Sequence, residues 1–152
     1  MGAVPVEINV TKEMLASKPT ALDLTTPESA VRSYLAWTSY AYRIGISDDA
    51  TPTMSPYEEV RVGAYIQLNL QKGRLIDQTL MSIVFGKPSA EATHTTVSAK
   101  EEWSYRYVSV STAGKTVGGP YTASYDSTYT LVKSGTGWVV DSVKAKALGE
   151  VK

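Results

Sequence analysis

In the stretch "KEEWSYRYVSV", Glu101 precedes Trp103 by two residues, which on an extended chain puts a carboxylate and an indole on one face. A carboxylate there could project into an enclosed site and do acid–base work, whereas "KEEW" reads more simply as the charged entrance of a strand. His94 is the only histidine, set among Thr93, Thr95 and Thr96 with no carboxylate at ligand spacing, so no metal site is expected. The same isolated histidine supports no Ser-His-Asp arrangement. Cysteine is absent, which removes disulfides, thiolate nucleophiles and cysteine metal sites together. "GKTVGGP" has glycines and a lysine but precedes a strand pattern instead of opening a helix, so it does not match a phosphate loop. Glu102, Arg106 and Asp126 fall on the face opposite Trp103, positioned for a cross-strand ion pair worth about 0.2 to 1 kcal/mol.

What the sequence offers in quantity is tyrosine, 10 residues against a single phenylalanine. Trp103, Tyr105 and Tyr107 alternate with Ser104 and Arg106, and Tyr121, Tyr125, Tyr129 and Leu131 alternate with small polar residues. Two strands therefore each present one aromatic and one wet face. A buried tyrosine keeps its hydroxyl near water or a partner, which puts several of these rings at the edge of something wet. Tyr34, Trp37, Trp103, Tyr105, Tyr107, Tyr125 and Tyr129 are the expected wall of a pocket between helices and sheet. An ordinary core is the plain alternative for most of them.

The elements that position these residues are legible in order. "TTPESAV" offers Thr25 or Thr26 as N-cap and Pro27 at the first helical position, and "SPYEEV" repeats that grammar with Ser55, Pro56 and Glu58 at capping-box spacing. Val31, Tyr34, Leu35, Thr38, Ala41 and Tyr42 form the apolar face of the first helix, which runs to about Gly45. Val60, Ala64, Tyr65 and Leu68 form one side of the second, which ends near Gly73. The period then changes to two, and residues 75–85, 92–112, 121–133 and 137–147 each read as a strand between Gly-rich turns. Helix, helix, then four strands predicts an α+β domain, with N-terminal helices packed on the aromatic side of a strongly curved antiparallel four-stranded sheet. In the last strand Val139 and Val143 face away from Trp138 and Val140, so something is expected behind the sheet. That is either residues 1–24 folding back or, as the favoured reading, a second copy docked sheet to sheet.

At 152 residues the chain has the length of one domain, divided as an extended segment or stalk over 1–24, a cone-like domain over 25–148 and a tail over 149–152. Lys plus Arg equals Asp plus Glu at 15 each, so there is no electrostatic case for nucleic acid or an anionic membrane surface. No apolar run approaches the ~20 residues of a membrane helix. The lack of cysteine and the abundance of Ser and Thr fit an extracytoplasmic domain, and "MGAV" could replace a removed signal or anchor.

The helix opening "TPESAVRSYLAW", a shorter second helix, long strands and the closing hairpin "YDSTYTLVKSGTGWVVDSV" together resemble the nuclear-transport-factor-like superfamily, the cystatin-like α+β cone. The resemblance covers about residues 25–148 and implies a fold with a menu of functions, from ketosteroid isomerase and polyketide cyclases to non-catalytic domains of bacterial membrane-anchored or secreted proteins. The isomerase pattern, an aspartate base with a tyrosine and a protonated aspartate as oxyanion donors, implies Asp77 as base with Tyr34 facing it, but no second inward acid is found. Two functions follow. The first is a non-enzymatic interaction or ligand-binding domain, extracytoplasmic, without cofactor or metal, taking a protein partner or an apolar small molecule and possibly forming a homodimer through the sheet. The alternative is a small isomerase, dehydratase or cyclase using Asp77.

Overall fold

Thr26 begins the first long helix: its hydroxyl accepts from the backbone N–H of Ser29, and Ser29 Oγ accepts in return from the Thr26 N–H. The computed structural model describes residues 7–148, so residues 1–6 and the tail 149–152 lie outside it. Its helices are α1 (Lys12–Ala16), α2 (Pro27–Ile44) and α3 (Pro56–Gln71), with a 3-10 turn over Asp48–Thr53 between the last two. α2 ends at Gly45, whose φ of 76° is left-handed and whose missing Cβ would stand 2.9 Å from Leu75 Cδ2, so glycine is required on both counts.

Five strands follow: β1 (Arg74–Phe85), β2 (Ser89–Ala90), β3 (Thr95–Ser109), β4 (Thr116–Ser134) and β5 (Gly137–Ala147). The long strands pair antiparallel in the order β1-β3-β4-β5, and the two-residue β2 adds to Thr95 and Thr96 of β3. The fold is thus the expected α+β arrangement, with the short β2 as a strand the period did not reveal. β4 starts at Thr116 because "GGP", read as punctuation, lies inside it. There Gly119 approaches the Tyr105 carbonyl within 3.1 Å of where a Cβ would sit, and the register slips opposite Tyr107. Further slips occur at Met81 and Asp141, and such bulges bend the sheet toward the face that α2 and α3 cover.

The core lies in that concavity. Val31 of α2, Val62 of α3, Leu75, Val97, Tyr129, Leu131 and Val140 are almost fully buried. The bulge at Asp141 returns Val143 to the inner face: Val140 pairs with Leu131 and Val143 with Tyr129, so both face inward despite odd spacing, while Val139, paired with Val132, is buried on the opposite face. At the start of β5, the Trp138 N–H donates to the Leu24 carbonyl at 2.8 Å, so the N-terminal segment covers that end.

One expectation is corrected here. The stripe Val60, Ala64, Tyr65 and Leu68 does not form the buried side of α3, since Val60 is 71% and Leu68 45% exposed. The helix instead buries Glu58, Val62, Ile66, Asn69 and Leu70, an equally regular set. Residues 7–24, the described part of the segment read as extended, as a stalk or as folding back, lie against the helices and the end of β3. Met14 of α1 is buried, the Asn9 N–H donates to the Val110 carbonyl at 2.9 Å, and Tyr40 and Trp37 donate to the Leu15 and Ala21 carbonyls. Among the described residues no helix is long and apolar enough to cross a membrane.

Candidate functional site

Between α2, the end of α3 and the concave sheet lies a cavity of about 200 Å³. α2 contributes Tyr34, Leu35, Thr38 and Tyr42, one turn apart on its sheet-facing side, and α3 contributes Tyr65. The strands add Ile76 and Gln78, then Glu101, Trp103, Tyr105 and Tyr107, then Tyr125, Ser127 and Tyr129, and finally Val143 and Ala145, each series at the two-residue spacing of one sheet face. The rings pack edge to face: Tyr34 on Tyr129 at 6.2 Å between centroids and Tyr42 on Tyr65 at 5.5 Å.

Six of the seven aromatic residues expected in the wall line this cavity. Trp37 does not. Its indole N–H donates to the Ala21 carbonyl at 2.9 Å and Lys18 lies over its ring, so it fastens the N-terminal segment to the outer side of α2. Sequence reasoning missed Tyr42 and Tyr65 as wall residues, although Tyr42 stands two turns after Tyr34 on the same face.

Two carboxylates are buried here. Glu101, 4% exposed, accepts from Trp103 Nε1 at 2.8 Å and from the Tyr129 hydroxyl, one donor to each oxygen. It is therefore part of the interior and not the exposed strand entrance that "KEEW" suggests. The signal was its phase, because Val97, Ala99, Glu101 and Trp103 alternate inward together. Glu58, 2% exposed, accepts from the Tyr34 hydroxyl and from Arg61 Nη1 at 2.9 Å. Its side chain turns inward instead of closing the capping box, leaving Ser55 to cap α3 alone through the Glu58 N–H. Burial pushes the Glu58 carboxyl above the ordinary glutamate value, against the hydrogen bond from Tyr34 and the charge of Arg61. Burial likewise raises the phenols of Tyr34, Tyr42, Tyr65, Tyr105 and Tyr129, with Glu58 adding to Tyr34 and Tyr42 and Glu101 to Tyr129. The wall therefore presents neutral hydroxyls.

Asp77 lies elsewhere. Its two oxygens accept from Arg43 Nε and Arg106 Nε, each at 3.0 Å, and it is absent from the cavity lining, where its neighbours Ile76 and Gln78 face inward. Tyr34 bonds Glu58 and not Asp77. Arg106 stands directly opposite Asp77 in the β1–β3 register, whereas Asp126 faces Lys100 and Lys146, so the anticipated partnership of Arg106 with Asp126 does not form. His94 is half-exposed beside Thr93 in the turn before β3, and no cluster of three metal-ligating side chains occurs among the described residues.

Tyr34, Tyr42, Tyr65, Val143 and Ala145 also line an open groove of about 640 Å³ between α3 and β5, with Glu58 and Arg61 on its floor and rim, so cavity and groove share a wall. The arrangement can enclose a single-ring molecule, grip it by stacking and offer it hydroxyls and a carboxylate.

No family model matches the chain, and no curated protein matches it. Solved structures do. The intermembrane space region of the chloroplast protein ARC6 superposes with a TM-score of 0.67 at 18% identity, covering 84% of this chain and 99% of that one. A putative calcium/calmodulin dependent protein kinase II association domain from Xanthomonas campestris gives 0.51 at 10% identity over 88% and 98%. A cystatin-like domain of unknown function from Nostoc punctiforme gives 0.47 at 14% identity over 85% and 82%. What the chain shares with the first two is the α+β fold of helices on an antiparallel sheet.

Proposed function

We propose that this chain is a non-catalytic binding domain whose aromatic cavity receives a small, largely apolar molecule through the groove between α3 and β5. The observation that supports it is the cavity itself: about 200 Å³, open toward the groove and walled half by aromatic rings, a concave and mostly apolar site with a few polar groups converging on it. The catalytic alternative loses its named base, since the Asp77 carboxylate is taken up by two arginines outside the cavity. We also place the domain on the extracytoplasmic side, in keeping with a chain without cysteine and with a fold shared with an intermembrane-space region. A protein partner or second copy would have the sheet edges and the exposed stripe Tyr57, Val60 and Leu68 of α3 to use.

The experiment is calorimetric titration with 2-phenylethanol, a neutral one-ring probe. Ala145 is exposed and lines both cavity and groove, so Ala145→Trp plugs the mouth without disturbing the core. Saturable binding to the wild type and none to Ala145→Trp, at an unchanged melting temperature, is expected. Absence of binding, or equal binding by both proteins, would overturn the reading.

A further inference from the structure

We propose that the ligand of this cavity carries an ammonium group, held by the Glu101 carboxylate among the surrounding rings; the inference rests on the binding-domain reading above. The lining contains one carboxylate and, among the described residues, no Lys, Arg or His. Glu101 is 4% exposed, and its two oxygens meet only neutral donors, Trp103 Nε1 and the Tyr129 hydroxyl. None of the salt bridges among the described residues involves it. A carboxylate offers roughly four acceptor positions, so about two are left for a ligand that lines up beside it. A buried charge without a counter-ion is among the costliest groups a core can hold, and an ammonium arriving from outside removes that cost.

The walls favour the same chemistry. Half of the lining residues are tyrosine or tryptophan, whose ring faces attract a cation, and burial keeps the phenols neutral. At the cavity's edge Tyr107 already holds a cation in this manner, with the Arg74 guanidinium 3.8 Å from its ring centroid. A second carboxylate, Glu58, stands in the adjoining groove, where its partner Arg61 bonds one oxygen. An anionic ligand would meet Glu101 with no positive group in the lining to offset it, and a wholly apolar one would leave the carboxylate as it is. The volume, about 200 Å³ against the ~150 Å³ that admits benzene in an engineered cavity, selects a single-ring amine or a compact quaternary ammonium.

The test compares three probes on one phenylethyl frame by calorimetry at neutral pH: 2-phenylethylamine, 2-phenylethanol and 3-phenylpropanoate. The ammonium is expected to bind at least about tenfold tighter than the alcohol, ~1.4 kcal/mol, with the carboxylate weakest. Glu101→Gln should remove the preference, bringing the amine to the level of the alcohol measured on the same variant. Equal binding of all three probes, or tightest binding of 3-phenylpropanoate, would overturn the ammonium inference and leave the binding-domain reading standing. Loss of all binding, the alcohol included, would remove both. The comparison of probes on the wild type decides the matter even if Glu101→Gln does not fold.

Discussion

Tyr129→Phe isolates the bond that holds Glu101 in the core. Tyr129 is 1% exposed and its hydroxyl donates to Glu101 Oε2, so the substitution keeps the ring and its contact with Tyr34 while removing one of the carboxylate's two donors. A hydrogen bond to a charged group contributes about 1.5–3 kcal/mol, and leaving a buried acceptor unsatisfied lies in the same range. At about 2–4 °C per kcal/mol for a chain of this length, the melting temperature should fall by roughly 4–8 °C for a loss of ~2 kcal/mol. Urea unfolding followed by tryptophan emission gives the free energies, and Glu101→Leu supplies the partner for a double-mutant cycle. In the Glu101→Leu background Tyr129→Phe should cost almost nothing, a coupling of at least about 1 kcal/mol. Additivity within about 0.5 kcal/mol would refute the claim that the two groups bond each other.

Asp77→Asn should cost about 1–3 kcal/mol, because two charge-assisted bonds of 3.0 Å weaken at a side chain only 22% exposed. It should leave probe affinity unchanged, and a calorimetric titration showing a large loss of binding would restore Asp77 to the site. The Glu58 carboxyl is raised by burial, so the folded state holds its proton more tightly than the unfolded chain does. The stability this contributes is present below the ordinary glutamate value and is lost as pH rises through the raised folded value. The stability of the wild type relative to Glu58→Gln should accordingly fall as the pH rises above the ordinary glutamate value, and a rise in that direction in urea titrations contradicts the assignment. On α3, Ile66→Ala should cost about 2–5 kcal/mol and Val60→Ala less than about 0.5 kcal/mol, since one is buried and the other 71% exposed; comparable losses in urea would reverse the face assigned to the core.

Much of the fold follows from local chemistry that a sequence displays. Thr26-Pro27 and Ser55-Pro56 start both long helices, Gly45 and Gly73 end them with positive φ, and the alternation from Leu75 onward gives the sheet. What period alone cannot decide is which of two good faces is buried. On α3 the sets Val60-Ala64-Leu68 and Val62-Ile66-Leu70 have the same spacing, and only the sheet's position chooses between them. Charged residues mislead for a related reason. Glu101 and Glu58 look solvated when read beside Lys100 and Ser55, yet each is in phase with buried neighbours and finds tyrosine donors from elements 28 and 24 residues away. Asp77 looked like a strand-end base because its two arginines come from α2 and β3. The bulge at Asp141 shifts β5 by one residue, which hides that Val140 and Val143 share a face.

The central claim is that the aromatic cavity takes a ligand, and Trp103 reports on it directly. Of Trp37, Trp103 and Trp138 only Trp103 lines the cavity, with its indole N–H on Glu101. In a ¹H–¹⁵N correlation spectrum titrated with 2-phenylethanol, the Trp103 indole signal should move along a saturable curve while those of Trp37 and Trp138 stay in place. A Trp103 signal that does not respond, or equal movement of all three, would contradict the account.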